Sequence, residues 1–404
     1  MVKFKRKKFF WIRLSAFTLI AVACGIGFIW NQAITEHANR NIFGNERPHG
    51  DLAFASGLDI HFIDVGQGDA AVIRFPDERI MIVDAGTNTR ESRDAFSHYL
   101  RTHIFPGNTP RVVHYFVATH SHADHIGAAY YLLQNYYVEH VIRPLAFTQN
   151  EINTGVPLSQ FAITTPVMLH NTVLMQNFVR RLGESTCISG NPTLVSLPYR
   201  GRTMTYGGAE VLFLSPYGHY FNALNRLSTI FTITFQGRRI MFTGDSYVAC
   251  EMDMLTAITT DVGGGLNVFG MPSNHPFRVC VLDVSHHGST TSTSQAFINM
   301  IQPSYAIIQV GQNNFGHPHS AIIRRLENAD ATILTTRMMG DILVRVSAIG
   351  EIEVNGVITP GEWFSYWMLV GMVLLFAFAT LLAMDFITKN PNKPAKQKRA
   401  RKAS

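Results

Sequence analysis

The sequence predicts a layered α/β domain built on central sheets and held between two membrane-crossing helices. Three observations carry this: short apolar runs of strand length fill the middle of the chain, strand–helix–strand passages close it, and long uncharged apolar segments stand at both ends.

Residues 1–13 form a basic tail. Leu14 to Trp30 then runs 17 residues without a charge, at the lower limit for a transmembrane helix. Ala21-Val22-Ala23 also reads as a small-x-small cleavage site of a signal peptide, and Cys24 raises a lipoprotein reading, although Ala21 stands where a lipobox usually has Leu. The apolar run continues to Trp30, which favours an uncleaved anchor. At the other end Trp363 to Met384 runs 22 residues, with Trp363, Tyr366 and Trp367 where an interfacial aromatic belt belongs. The second helix is taken as 363–387, and 388–404 is another basic tail. Basic residues flank the outer ends of both segments, so both tails are expected in the cytoplasm and the intervening domain outside it.

The formal net charge of +6 over 404 residues invites a nucleic-acid reading until the charges are placed. All nine lysines lie in the tails. Between Asn31 and Glu362 there remain 21 arginines against 27 acids, a net charge of −6. Nucleic acid is poorly served by such a surface unless Arg143, Arg180, Arg181, Arg200 and Arg202 gather into one patch. Cys187, Cys250 and Cys280 are an odd number of thiols outside the membrane segments, with no C-x-x-C pair, and are expected as small buried hydrophobes.

A polar linker covers 31–57 and the folded domain 58–356. Strand-like runs are Asp59–Ile63, Ala70–Phe75, Ile80–Val83 and Val112–Ala118, with Gly66-Gln67-Gly68 and Pro76-Asp77 as turns. The stretch of about 149–201 shows no clear period and is expected as a cap or insertion. Strand runs resume at Val211–Leu214, Thr229–Phe235, Arg239–Thr243 and Val279–Val284. The domain ends on Tyr305–Val310, a helix over Ser320–Ala329, Ala331–Leu334 and Ile342–Val346.

Three elements carry chemistry. Thr119-His120-Ser121-His122-Ala123-Asp124-His125-Ile126-Gly127 places three imidazoles and a carboxylate at the end of a buried strand. These are ligands preferred by zinc and by harder divalent ions such as manganese. Residues two apart in extended chain point the same way, so His120 and His122 can share one ion while the turn presents Asp124 and His125 to another. Phe242-Thr243-Gly244-Asp245 ends another strand on an acid, which alone is common turn chemistry. Val284-Ser285-His286-His287-Gly288-Ser289 follows the next strand.

In this order the three elements resemble the metallo-β-lactamase superfamily. Phe62 to Ala70, Ile82 to Gly86 and Gly311 to His319 look like the hydrolase domains of the bacterial DNA-internalisation competence channel family. The resemblance covers roughly Leu58 to Glu353 and implies an αββα sandwich. It makes His120 and His122 ligands of a first ion and Asp124 and His125 ligands of a second, with Asp245 bridging and one of His286 and His287 completing the second site. Asp84 would orient a ligand histidine, Asp64, Gln67 and Asp69 would border the metals, and His317 would lie near the substrate. Two positions depart from the superfamily. Asn225 and Ser228 stand where many members carry a third first-site histidine, which predicts a weaker first site. Asp283 stands where a basic residue often precedes the paired histidines.

The implied cofactor is zinc or manganese, one or two ions. The implied chemistry is attack by a metal-activated hydroxide, with Asp124 and Asp245 at its centre. A protonated His317, or whichever of His286 and His287 is not a ligand, would serve as proton donor. The expectation is a membrane-anchored extracytoplasmic phosphodiesterase. Nucleic acid is the resemblance's first candidate substrate, but the acidic domain does not support it. The competence channel proteins also carry many membrane helices, and this chain has two candidate spans. Two alternatives remain: a hydrolase of a cell-envelope phosphodiester or lactone, and a non-catalytic metal-binding sensory ectodomain. The last is weakened because buried acids and histidines are costly without a metal to pair them.

Overall fold

The computed structural model describes residues 57–107, 110–154, 168–216, 223–274 and 276–356. Both apolar segments, 14–30 and 363–387, lie outside the described residues, as do the two tails and almost all of the linker. Among the described residues no helix is long and apolar enough to cross a membrane.

The strands are β1 (Leu58–Phe62), β2 (Ala71–Arg74), β3 (Ile80–Val83), β4 (Val112–Val117), β5 (Tyr137–Ile142), β6 (Ala146–Phe147), β7 (Met168–Leu169), β8 (Leu194–Ser196) and β9 (Thr203–Tyr206). They continue as β10 (Ala209–Ser215), β11 (Ile230–Phe235), β12 (Arg238–Phe242), β13 (Val281–Asp283), β14 (Tyr305–Ile308), β15 (Thr332–Thr335), β16 (Ile342–Val346) and β17 (Ile352–Gly356). One sheet has the order β17-β16-β1-β2-β3-β4-β5-β8 and the other β15-β14-β13-β12-β11-β10-β9.

Alternation along each strand explains the layering, because successive side chains leave opposite faces of a sheet. Leu58, Ile60, Phe62, Ala71, Ile73, Met81 and Val83 point between the sheets, where they meet Val211, Phe213, Phe231, Ile233 and Phe242. Val72 and Ile82 take the other face and pack with Phe96, Leu132 and Phe178 from the helices 90–99, 129–135 and 173–184. The second sheet is covered likewise by Met254, Phe297 and Ile322 from the helices 248–259, 295–301 and 320–327. Helix, sheet, sheet and helix form four layers. The C-terminal strand β16 returns to the first sheet against β1, pairing Phe62 with Ile342 and Leu58 with Val346.

The described part of the stretch 149–201 packs on and extends the first sheet. Its helix 173–184 buries Met175, Phe178 and Leu182, an i, i+3, i+7 stripe too short to show as a period amid its polar neighbours. Strand β8 then extends the first sheet in parallel beside β5. Among the described residues of this stretch, His170 reaches the histidine cluster, where its Nδ1 lies 2.7 Å from the Ser121 Oγ. Cys187, Cys250 and Cys280 are free thiols; only Cys250 is buried, and the other two are partly exposed.

Two parallel runs, β3-β4-β5-β8 and β12-β13-β14-β15, lie in the two facing sheets. Carboxyl ends of parallel strands are where such sheets bind ligands, and the loops after β3, β4, β12 and β13 carry the sequence motifs. Between the sheets a ladder of rings holds one of these ends in place. Phe231 stacks on Phe242 at 4.9 Å and 10°, with Phe62 and Phe213 stacked on either side. Each such pair contributes about 0.5–1.5 kcal/mol beyond its burial. Phe242 is separated from Asp245 only by Thr243 and Gly244, so the ladder fixes where that carboxylate emerges.

Candidate metal centre

Strand β4 ends at Val117 and the chain runs extended through Thr119 and His120 before His122 opens the short helix 123–126. Both His120 and His125 are fully buried. Their close approach is held from below by Asp84, at the end of β3. This residue sits in the left-handed region at φ 57°, a conformation that Asp tolerates better than most. Its Oδ1 accepts from the Thr119 N–H at 2.8 Å, and its Oδ2 accepts from the Thr119 hydroxyl at 2.6 Å and lies 2.8 Å from the His125 Nδ1. That pairing puts the proton of a neutral His125 on Nδ1 and turns the Nε2 lone pair into the site.

Asp245 lies at the middle. Its Oδ1 is 3.1 Å from the His125 Nε2 and 3.8 Å from the His287 Nε2. Its Oδ2 is 3.6 Å from the His120 Nε2 and 3.5 Å from the His286 Nε2. Two groups able to hold an ion share this carboxylate: Asp124, His125, Asp245 and His287 form one, and His120, His122 and Asp245 the other. The His125 Nε2 and the Asp245 Oδ1 are both buried and neither has a hydrogen-bond partner. The two atoms face each other at 3.1 Å without a hydrogen bond, an arrangement that is unfavourable in a buried site; a divalent cation would satisfy both atoms at once, so the residues present fit the metal that their types implied.

The paired histidines divide. His287 points its Nε2 to within 3.3 Å of the Asp124 Oδ2, while its Nδ1 lies 2.8 Å from the Gln309 carbonyl and 3.1 Å from the Asp69 Oδ1. It therefore joins the second group, which the sequence left open between His286 and His287. Asp69 is in turn placed by its own N–H, which donates to the Asp124 carbonyl at 3.0 Å.

Charge is distributed accordingly. Burial opposes a proton on His125, but the surrounding carboxylates of Asp245, Asp84 and Asp69 outweigh it and hold its pKa well above the usual range. His287 behaves the same way, with Asp69 and Asp245 overcoming burial. Burial would raise the Asp245 and Asp124 carboxyls, yet the histidines around them hold both well below the usual range. His120 is pushed well down by burial and by the charge of His125.

The remaining expected residues spread around this centre. Ser228 Oγ accepts from the Asp245 N–H at 3.2 Å, and Asn225 Nδ2 is 3.4 Å from the Asp245 Oδ2. Gln67 turns its Oε1 to the Gly311 N–H, 3.2 Å away. The Asp64 N–H donates to the Asp341 Oδ1 at 2.8 Å, the Asp64 Oδ1 accepts from the Gly66 N–H at 3.1 Å, and burial pushes the Asp341 carboxyl up to about 7. Asp283 is no anion contact. It is buried, its Oδ1 accepts from the Gln309 Nε2 at 3.1 Å, and burial together with the Asp69 charge raises its pKa well above the usual range. The His317 ring lies 5.6 Å from that of His286 and 6.3 Å from that of His287. Burial and these neighbouring histidines lower its pKa to about 4. At neutral pH His317 is thus uncharged, so a donor role for it rests on a neutral N–H and not on an imidazolium.

Four of the five arginines that were to supply a patch are paired with acids, and Arg202 donates to the Ser196 Oγ. Arg143 is buried in an ion pair with Glu151, Arg180 and Arg181 share Glu184, and Arg200 pairs with Asp253. Residues without a role in the sequence reading prove central: Thr119 braces Asp84, Gln309 seats His287, and Thr291 holds the His286 Nδ1 at 2.9 Å. Thr119 and Thr291 lie beside the motifs but are not ligand types, and only folding brings Gln309 near, so none of the three carried a signal.

The sequence profile of the Metallo-beta-lactamase superfamily matches residues 63–312. ComE operon protein 3 of Bacillus subtilis is 26% identical over 299 residues, 71% of this chain and 33% of that protein. Recombination protein 2 of Haemophilus influenzae is 26% identical over 145 residues, 36% of this chain and 16% of that protein. The chain spans a third or less of the length of these relatives. Among solved structures, the metallo-beta-lactamase fold protein YhfI of Bacillus subtilis aligns at 10% identity over 74% of this chain and 100% of that one, with a TM-score of 0.40. CmlA, a diiron beta-hydroxylase from Streptomyces venezuelae, aligns at 14% identity over 71% and 54%, with a TM-score of 0.42.

Proposed function

This chain belongs to the metallo-beta-lactamase superfamily, and from that premise we propose that it is a metal-dependent hydrolase of small phosphodiesters. The observation that carries the reading is the Asp245 carboxylate, whose two oxygens face two separate sets of ligand-type side chains. Bound divalent ions, zinc or manganese, supply Lewis acidity toward a phosphoryl oxygen and lower the pKa of water. His120, His122 and Asp245 would hold one ion, and Asp124, His125, Asp245 and His287 the other. Asp84 keeps the His125 proton on Nδ1, and the Gln309 carbonyl and Asp69 do the same for His287, so that both Nε2 atoms face inward. His317, neutral and beside the paired histidines, offers an N–H to the leaving-group oxygen.

A small diester is favoured over a polymer because four of the five candidate arginines are already paired with acids, leaving little to track a phosphate backbone. The names of the competence relatives keep nucleic acid as the second substrate to test. Segments 14–30 and 363–387 anchor the domain on the outer side of a membrane, with both tails cytoplasmic.

The test is a panel of bis-p-nitrophenyl phosphate, single-stranded DNA and a lactone, assayed with the wild type and Asp245→Ala under several metals. Metal-dependent hydrolysis of the diester that disappears in Asp245→Ala is expected. Turnover of the lactone alone, or the absence of bound zinc, manganese or iron from the purified protein, overturns the proposal.

A further inference from the structure

The first group of ligands is one side chain short, and we propose that His286 supplies it, binding the ion held by His120, His122 and Asp245; the inference rests on the metal-dependent reading above. The shortage is local and specific. Many superfamily members are expected to bring a histidine from the segment before β11, and here Asn225 and Ser228 occupy it. Ser228 is committed to the Asp245 N–H, so it is not turned to the ion.

His286 reaches the same place from the other side. Its Nε2 is 3.5 Å from the Asp245 Oδ2, and the His120 Nε2 is 3.6 Å from that oxygen. Two ligand atoms on one tetrahedral ion, each about 2.1 Å from it, lie about 3.4 Å apart. Each separation is near that spacing and longer than a good hydrogen bond, so the Asp245 Oδ2 has an imidazole at ligand distance on either side; without an ion His286 stands just outside the tight group of His120, His122 and Asp245. The Asn225 Nδ2 lies 3.4 Å from the His286 Nε2 as well as from the Asp245 Oδ2, so the carboxamide marks the edge of the same space.

The far side of the ring is prepared for this role. The His286 Nδ1 is 2.9 Å from the Thr291 Oγ1, and Thr291 is braced by Ser289 at 3.0 Å. With the proton on Nδ1 and donated to that hydroxyl, the Nε2 keeps its lone pair, as an outer partner of a metal-ligating imidazole requires. The backbone points to the same use. His286 at φ 55° and His287 at φ 53° are consecutive left-handed residues that both carry a Cβ. This conformation is disfavoured for such residues and persists where a site demands it. Its effect is to send the two side chains to opposite oxygens of Asp245, His286 to Oδ2 and His287 toward Oδ1 and Asp124. Each ion thereby receives one of the pair.

The experiment titrates manganese into the chelator-stripped full-length protein, reading stoichiometry and affinity by calorimetry and the spin-coupled ion pair by electron paramagnetic resonance. The wild type should bind two ions and show the coupled signal. His286→Ala should weaken one ion by at least about 10-fold, the range known for disturbing a ligand's surroundings, and abolish the coupled signal while the other ion binds as before. Thr291→Val, nearly isosteric, should weaken the same ion to a smaller degree and decides the matter if His286→Ala does not fold. Unchanged binding of both ions in His286→Ala, or in a folded Thr291→Val when the first variant fails, overturns the proposal. Loss of the first ion in Asn225→Ala but not in His286→Ala overturns it too. A wild type that binds no ion overturns the proposed function together with this inference, whereas two ions in both wild type and His286→Ala overturns this inference alone.

Discussion

Replacing Asp84 by Asn separates holding an ion from holding the fold. Asp84 is 1% exposed and accepts from the Thr119 N–H, the Thr119 hydroxyl and the His125 Nδ1. Asparagine keeps the shape and the left-handed backbone, and its Oδ1 still accepts from the Thr119 N–H. Its Nδ2, however, is a donor, so the His125 Nδ1 must accept and the ring proton moves to Nε2, where it blocks the lone pair that faces Asp245. Outer partners of ligand histidines change metal affinity by about 10–100-fold, which is about 1.4–2.8 kcal/mol at about 1.4 kcal/mol per decade. Stability should move less. Burial already opposes the Asp84 charge and pushes its pKa up, so removing the charge relieves a desolvation cost that offsets the weakened hydrogen bonds to within about 1 kcal/mol. Competition of the stripped protein with a fluorescent chelator gives the affinity, and urea denaturation with EDTA present gives the stability. Ion binding equal to wild type in Asp84→Asn would show that the His125 tautomer is not set by Asp84.

The pH dependence has a definite sign. His125 and His287 have raised pKa values in the fold, so their contribution to the stability of the stripped protein is complete below about pH 6.5 and is lost as pH rises through the raised values. Asp245 and Asp124 are depressed, and their contribution is present above about pH 3.9 and lost as pH falls through the depressed values. Ion binding must displace the two histidine protons, so manganese affinity should rise with pH, with proton release visible as buffer-dependent calorimetric heats; a flat profile would count against the assignment. Gly127→Ala places a Cβ 2.2 Å from the Thr87 carbonyl carbon and 2.5 Å from the Ala123 carbonyl oxygen. It should cost about 1–3 kcal/mol or more and weaken ion binding by displacing the helix that carries Asp124 and His125. Phe231→Ala, at the centre of the ring ladder, should cost about 3–5 kcal/mol in urea denaturation; a much smaller loss would mean that the ladder does not hold the sheets together.

Most strands were legible because both faces of these sheets are covered, so each strand reads as an apolar run. β3 and β16 fall where the pattern puts them, and β4 within one residue. What the pattern could not reveal is partnership at long range: that β16 crosses to β1, or that the stripe of Met175, Phe178 and Leu182 belongs to the outer face of the first sheet. The candidate site divides the same way. His120, His122, Asp124 and His125 announce themselves by crowding ligand types into six residues, and Asp245 and His287 join them in space. The left-handed turn that parts His286 from His287 had only a following glycine as a hint.

The two sheets contribute to the centre unequally and from opposite sides. Asp69, Asp84, His120, His122, Asp124 and His125 follow strands of the first sheet, while Asp245, His286 and His287 follow strands of the second. Across most of their area the halves meet through apolar side chains alone, which resist separation without fixing a sliding register. An ion seated between them acts as a rivet: it can bind fully only when the halves have closed in one relative position, and it makes parting them harder by RT ln(1 + [metal]/Kd), about 2.7 kcal/mol at 100-fold saturation. The free metal around the protein would then govern how long the sandwich stays shut and how well it withstands proteolysis.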